Sequence, residues 1–364
     1  MRKMTKKIAL LLTCVMAAGV FSGCGTKEAS STAANTAAAE TTEKEAVEES
    51  TAADAEKSIK IGISLPTQRE ERWVLDKENF EKVAEELGVE LAVQIADNDA
   101  AKQQSQCENL IAQGIDVLIL APHDGTSAAN IVTMAHDAGI KVVSYDRLVM
   151  NADVDLYLTF DSLIVGEMQA KWLLEQAPTG NIAVLAGDPA DSCAVLYRQG
   201  AINVLQPKAD SGEITIVLDQ ECKDWQPSEA LRHMENALTV NGNDIQGVLA
   251  PNDGTAGAAI QALAAQGLDG QVPVTGQDAE VDAVKRIIEG TQGITIFNDI
   301  RILGEEAMRA AVKLANGETV ETTKVNNNGK YDVPSIEVAP LVVDKDNYYE
   351  LLIESGFIAE EDLK

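Results

Sequence analysis

The chain has 364 residues, 29 Lys and Arg against 58 Asp and Glu, and a formal net charge of −29. That balance excludes nucleic acid as a partner, because such binding relies on clustered basic side chains, and it disfavours anionic substrates unless a local basic site captures them. Aromatic residues are only 4% of the chain, which suits a long polysaccharide groove poorly.

The N-terminus reads as a targeting segment. Arg2, Lys3, Lys6 and Lys7 precede a short apolar run over 8–20, and Phe21-Ser22-Gly23-Cys24 follows. A basic start, a brief apolar stretch and small residues before a cleavage point describe a secretory signal, here residues 1–23. A cysteine directly after Ser-Gly resembles the bacterial lipobox, although Phe21 stands where an aliphatic residue is usual. Cys24 is therefore expected to carry the lipid that anchors the protein to the outer face of the cell membrane. The alternative is an ordinary signal peptide with a chance cysteine. Residues 24–58 are almost all Ala, Thr, Ser, Glu and Lys, a composition that cannot bury enough apolar surface to order itself, and they predict a disordered tether. No later apolar run reaches membrane-spanning length.

From residue 59 a regular rhythm begins. Strands are predicted over 59–65, 89–95, 116–121 and 140–145, with helices over 79–87, 103–113 and 127–138, the helices closing at Gly88, Gly114 and Gly139. The rhythm restarts with helices over 163–176, 195–205, 228–240, 255–266 and 280–289. Between them strands are predicted over 181–186, 214–218, 247–250, 272–275 and 294–297. Continuous apolar strands between amphipathic helices indicate parallel sheets covered on both faces. The expected fold is α/β, with two doubly wound, Rossmann-like lobes joined by a three-strand hinge. One lobe takes residues 59–160 plus 299–331 and the other 161–298 plus 332–364.

Ligands in such folds bind outside the carboxyl ends of the strands. Those ends carry Gln68, Glu71, Arg72 and Trp73, then Ala121-Pro122-His123-Asp124-Gly125, then Tyr145-Asp146-Arg147. In the second series they carry Asp188 and Asp191, Trp225, Asn252-Asp253 and Gly276-Gln277-Asp278. Planar hydrogen-bonding groups beside indoles suit a neutral polyol, whose hydroxyls donate and accept and whose C–H faces stack on rings.

Glu71-Arg72-Trp73, Tyr145-Asp146-Arg147, Asn252-Asp253, the run 257–263 and Gly276-Gln277-Asp278 together resemble the D-xylose-binding branch of the type I, ribose-like solute-binding proteins of ABC importers. The resemblance spans 59–357. It implies that Arg72, Asp146, Arg147, Asn252 and Asp278 bond sugar hydroxyls, and that Trp73 and Trp225 stack on the ring. Two positions depart from the family pattern: a thiol, Cys193, replaces an amide, and Asn298 replaces a lysine. Both are expected at the cleft, and they loosen the identity of the sugar to a pentose or hexose. The implied partners are a monosaccharide and the membrane permease of an ABC importer, and the implied state is a monomer.

Each site residue also has a plainer explanation. Arg72 could be a solvated charge, the indoles hinge packing, Asp146 and Asp278 helix caps, and Asp146-Arg147 a structural ion pair. Of the five cysteines, Cys14 leaves with the signal, and Cys107 reads as a buried apolar residue. Cys193 and Cys222 are either bridged or free. No cofactor or metal is implied: the cysteine spacing matches no zinc pattern, and 151–155 lacks a complete calcium loop. No nucleophile elbow, zincin motif or phosphate loop is present, so no enzyme is expected. Two other readings remain, a sugar sensor for a chemoreceptor or histidine kinase and a secreted glycoside-acting enzyme.

Overall fold

The computed structural model describes residues 58–364; Cys24 and the tether lie outside them. A first sheet forms from β1 (Lys60–Leu65), β2 (Glu90–Ile95), β3 (Val117–Leu120), β4 (Lys141–Tyr145) and β5 (Leu156–Phe160). Its helices are α1 (Glu71–Leu87), α2 (Ala100–Ala112) and α3 (Ala129–Asp137). The second lobe follows as α4 (Ser162–Gln176), β6 (Gly180–Ala186), α5 (Ser192–Asp210), β7 (Ile214–Glu221), α6 (Pro227–Val240), β8 (Gly247–Leu249), α7 (Asp253–Ala264), α8 (Val281–Glu289) and β9 (Thr295–Phe297). The chain then returns to the first lobe as α9 (Ile300–Ala315), β10 (Lys324–Asn327) and β11 (Asp332–Val338), and ends beyond β12 (Leu341–Val343).

The first sheet has the order β10-β11-β5-β4-β3-β1-β2 and is parallel apart from β10. Every residue of β3 is fully buried, as expected of a strand covered on both faces. One face is packed by α1 and α9, through Phe80, Val83, Leu303 and Met308, and the other by α2 and α3, through Leu110, Ile131 and Ala135. The second sheet runs β7-β6-β8. It continues through the segment 273–278, bridged to β8 at Val274 and to β9 at Gln277, and ends with β12 antiparallel to β9.

Several elements differ from expectation. Helix α1 begins eight residues before the predicted start, because its buried face opens with Arg72 and Asp76 and so breaks the apolar period. Strand β5 follows β4 with no helix between them, outside the βα rhythm. The predicted strand over 272–275 is reduced to bridges, since Pro273 has no N–H to give a ladder. Residues 332–338, assigned above to the second lobe, pair in parallel with β5 in the first sheet. The third crossing between the sheets therefore falls at 339–340, beside those at 161 and 298–299. Cys107, Cys193 and Cys222 are all free and buried, so 193 and 222 are not bridged.

Candidate ligand site between the two sheets

The carboxyl ends of both sheets face one cavity. Eight of the nine expected residues line it: Arg72, Trp73, Asp146, Arg147, Cys193, Trp225, Asn252 and Asp278.

Arg72 sits in the first turn of α1, whose preceding residue is Glu70. Its guanidinium bonds Asp146 Oδ1 at 2.7 Å and Asp76 Oδ2 at 2.9 Å. Burial pulls this cation's pKa down, but Asp146, Asp76 and Asp278 more than offset it, and it is held well above its ordinary value. Tyr145 donates its hydroxyl to the far oxygen of Asp76. Trp73 is 1% exposed, with the Arg72 guanidinium 4.2 Å from its ring centre and that of Arg147 at 5.3 Å.

Asp146 has left-handed backbone, φ 62°. Its carbonyl accepts from the Tyr157 and Thr159 hydroxyls, each at 2.8 Å, and from the Cys193 thiol at 3.0 Å. Burial, then the charges of Asp146 and Asp191, push that thiol up to about 12, so it stays neutral. Cys193 thus spends its one proton across the lobes on backbone.

Arg147 pairs with Asp191, Nε to Oδ2 at 2.8 Å, both side chains buried. Asp191 also takes the Trp225 indole N–H at 3.1 Å and the Cys193 backbone N–H at 2.8 Å. Trp225 meets Tyr197 edge-on, with ring centres 6.5 Å apart. Asn252 caps α7 by accepting from the Thr255 N–H at 3.1 Å, so its oxygen is engaged in the fold. Asp278 is pushed up to about 6, mainly by burial, with Arg72 pulling it back.

Asn298 stands apart. It is 2% exposed, it is not in the lining, and both polar atoms of its amide are buried without a protein partner. Four lining residues stand outside the nine assigned to the ligand: Glu70, Asp191 and Gln277, which lie at the strand ends, and Tyr197. Asp191 and Gln277 flank expected positions in the sequence, and Glu70 precedes the Glu-Arg-Trp motif. Tyr197 carries no signal, since it lies one turn inside α5. His233 lies outside the site, 7% exposed, with Nε2 3.2 Å from the Glu221 carbonyl.

The family model for the periplasmic binding protein domain matches residues 61–319. The chain belongs to this family. It is 45% identical to the D-xylose-binding periplasmic protein of Escherichia coli, over 84% of this chain and 93% of that one. To the multiple sugar-binding periplasmic receptor of Rhizobium radiobacter it is 37% identical, over 84% and 92%. Among solved structures, a carbohydrate transporter solute-binding protein of Chloroflexus aurantiacus in complex with D-glucose superposes with a TM-score of 0.79 at 38% identity, covering 84% of this chain and 98% of that one. These relatives are binding proteins, and the chain is likewise not an enzyme. The α/β fold expected from the sequence is the fold of this family.

Proposed function

We propose that the chain captures a monosaccharide, a pentose or hexose, between its two lobes and presents it to the membrane permease of an ABC importer. The observation that carries this reading is the convergence of one indole from each lobe, Trp73 and Trp225, with Arg72, Asp146, Arg147, Asn252 and Asp278 on a single cavity. A sugar held there bonds both lobes at once and stabilises their closed arrangement. Cys193 shapes the wall rather than bonding the ligand. The names of the relatives agree with this ligand class, one being D-xylose-binding and another holding D-glucose.

Calorimetry with D-xylose, D-ribose, D-glucose and D-galactose tests the reading. Saturable one-to-one binding of at least one is expected, weakened by about tenfold or more in Trp73→Ala and Trp225→Ala, since tenfold is about 1.4 kcal/mol and aromatic stacking alone contributes comparably. No heat with any of the four sinks it. The protein is further proposed to act as a monomer, held at the extracytoplasmic face by lipid on Cys24. Metabolic labelling with palmitate should mark the full chain, and Cys24→Ala should lose both the label and membrane retention.

A further inference from the structure

The cavity holds more acceptors than its own cations can serve. Four carboxylates line it, Glu70, Asp146, Asp191 and Asp278, against two guanidiniums, Arg72 and Arg147. Asp146 and Asp191 take those guanidiniums directly, at 2.7 and 2.8 Å. Asp278 has no ion pair among the described residues, and Glu70 has one oxygen to spare. One Glu70 oxygen pairs with Arg69, whereas Oε2 is buried and has no partner in the protein. Gln277, 3% exposed, gives its amide N–H to Asp278 Oδ1 at 3.4 Å. That bond leaves the amide oxygen as the free end, and Oε1 is likewise buried and unpartnered. Glu70, Gln277 and Asp278 line the same cavity.

A neutral hydroxyl has one hydrogen to give, whereas an ammonium has three and carries a charge that suits Asp278 and the free oxygen of Glu70. We propose that Glu70, Gln277 and Asp278 form a subsite for a protonated amino group, so that the cleft binds an amino sugar more tightly than its neutral parent. This rests on the sugar-capture reading and sharpens it: the preferred ligand class is cationic, in keeping with a chain whose formal charge is −29.

The test is calorimetry near pH 7 on the mature protein. The probes are D-glucosamine, D-galactosamine, D-mannosamine and 6-amino-6-deoxy-D-glucose, each beside D-glucose, D-galactose or D-mannose as its parent. At least one amine is expected to bind about tenfold or more tightly than its parent, a gain of about 1.4 kcal/mol. Glu70→Gln should erase that preference, as should a pH high enough to neutralise the amine. If every parent binds as tightly as its amine, or the preference persists in Glu70→Gln, the proposal is overturned. Should Glu70→Gln misfold by circular dichroism, the wild-type comparison and its pH dependence decide alone. Binding of parents without amines refutes this subsite only, whereas silence from both refutes sugar capture itself.

Discussion

Asp146, Trp225 and Asp278 line the cavity from backbone with φ of 62°, 55° and 100°. Asparagine and aspartate tolerate this region, but a bulky indole resists it. Trp225 is kept there by its bond to Asp191, by the edge of Tyr197 and by the missing side chain of Gly187, where a Cβ would lie 2.3 Å from the ring. Gly187→Ala should displace the indole and weaken sugar binding by about tenfold, within the 1–3 kcal/mol that overpacking costs, while the far-ultraviolet circular dichroism stays unchanged. The same pocket predicts a pH response. Burial raises Asp76 and Asp278 to about 6. Between about pH 4 and 6 the folded chain therefore holds protons that the unfolded chain has released, so their contribution to stability falls as pH rises through that window and levels off above it. Thermal melts of the unliganded protein should show a higher Tm at pH 5 than at pH 7, and Asp278→Asn should shrink the difference.

Helices α4 and α5 cross at Gly166 and Gly200, where added Cβ atoms would fall 1.9 Å from the Tyr197 carbonyl and 2.1 Å from that of Leu163. Gly200→Ala should force these backbones apart and cost about 1–3 kcal/mol, read as a Tm lowered by several degrees. The crossing also fixes the N-terminal end of α5, from which Asp191 and Cys193 reach the cavity. Most of the helices and strands were legible from hydrophobic periodicity, because most helices bury a plain apolar stripe and the central strands are apolar throughout. The start of α1 was hidden for the opposite reason, since Arg72 and Asp76 occupy its buried face and read as solvated charges. Strands β10 and β11 escaped because one edge is largely exposed and the other is interrupted by Pro334. The strand-end rule found seven of the lining residues, since polar or aromatic side chains at those points have few other uses, and the family pattern added Cys193. The rule missed Tyr197, which lies inside a helix, and the family pattern drew in Asn298, whose side chain is buried outside the lining.

At the scale of the molecule, the lobes touch directly as well as through any ligand. Arg147 pairs with Asp191, the Leu148 N–H meets Ser192 Oγ at 2.7 Å, and the Gly125 N–H meets the Ala190 carbonyl at 3.1 Å. All three contacts gather where α5 begins, so one rim of the cleft is latched by protein alone. Breaking a buried pair by removing one partner strands the other charge, at a cost of about 3–5 kcal/mol. Asp191→Asn should therefore shift the unliganded protein toward an open form, seen as a larger radius of gyration in X-ray scattering, and should weaken sugar binding.

The return of the chain after the second lobe also governs the order in which the protein can form. Strand β5 lacks its neighbour until β11 arrives, and the apolar face over β3 and β4 lacks a cover until α9 arrives, whereas residues 161–298 supply most of the second sheet in one uninterrupted stretch. During synthesis or export, the lobe that emerges first thus waits through the whole of the second before its own pieces arrive. Strands β1–β5 must wait about 140 residues of elongation for a cover on that face, and about 170 for a partner on the open edge. The interval in which that edge is unguarded, rather than the stability of the finished fold, is where dependence on chaperones should concentrate.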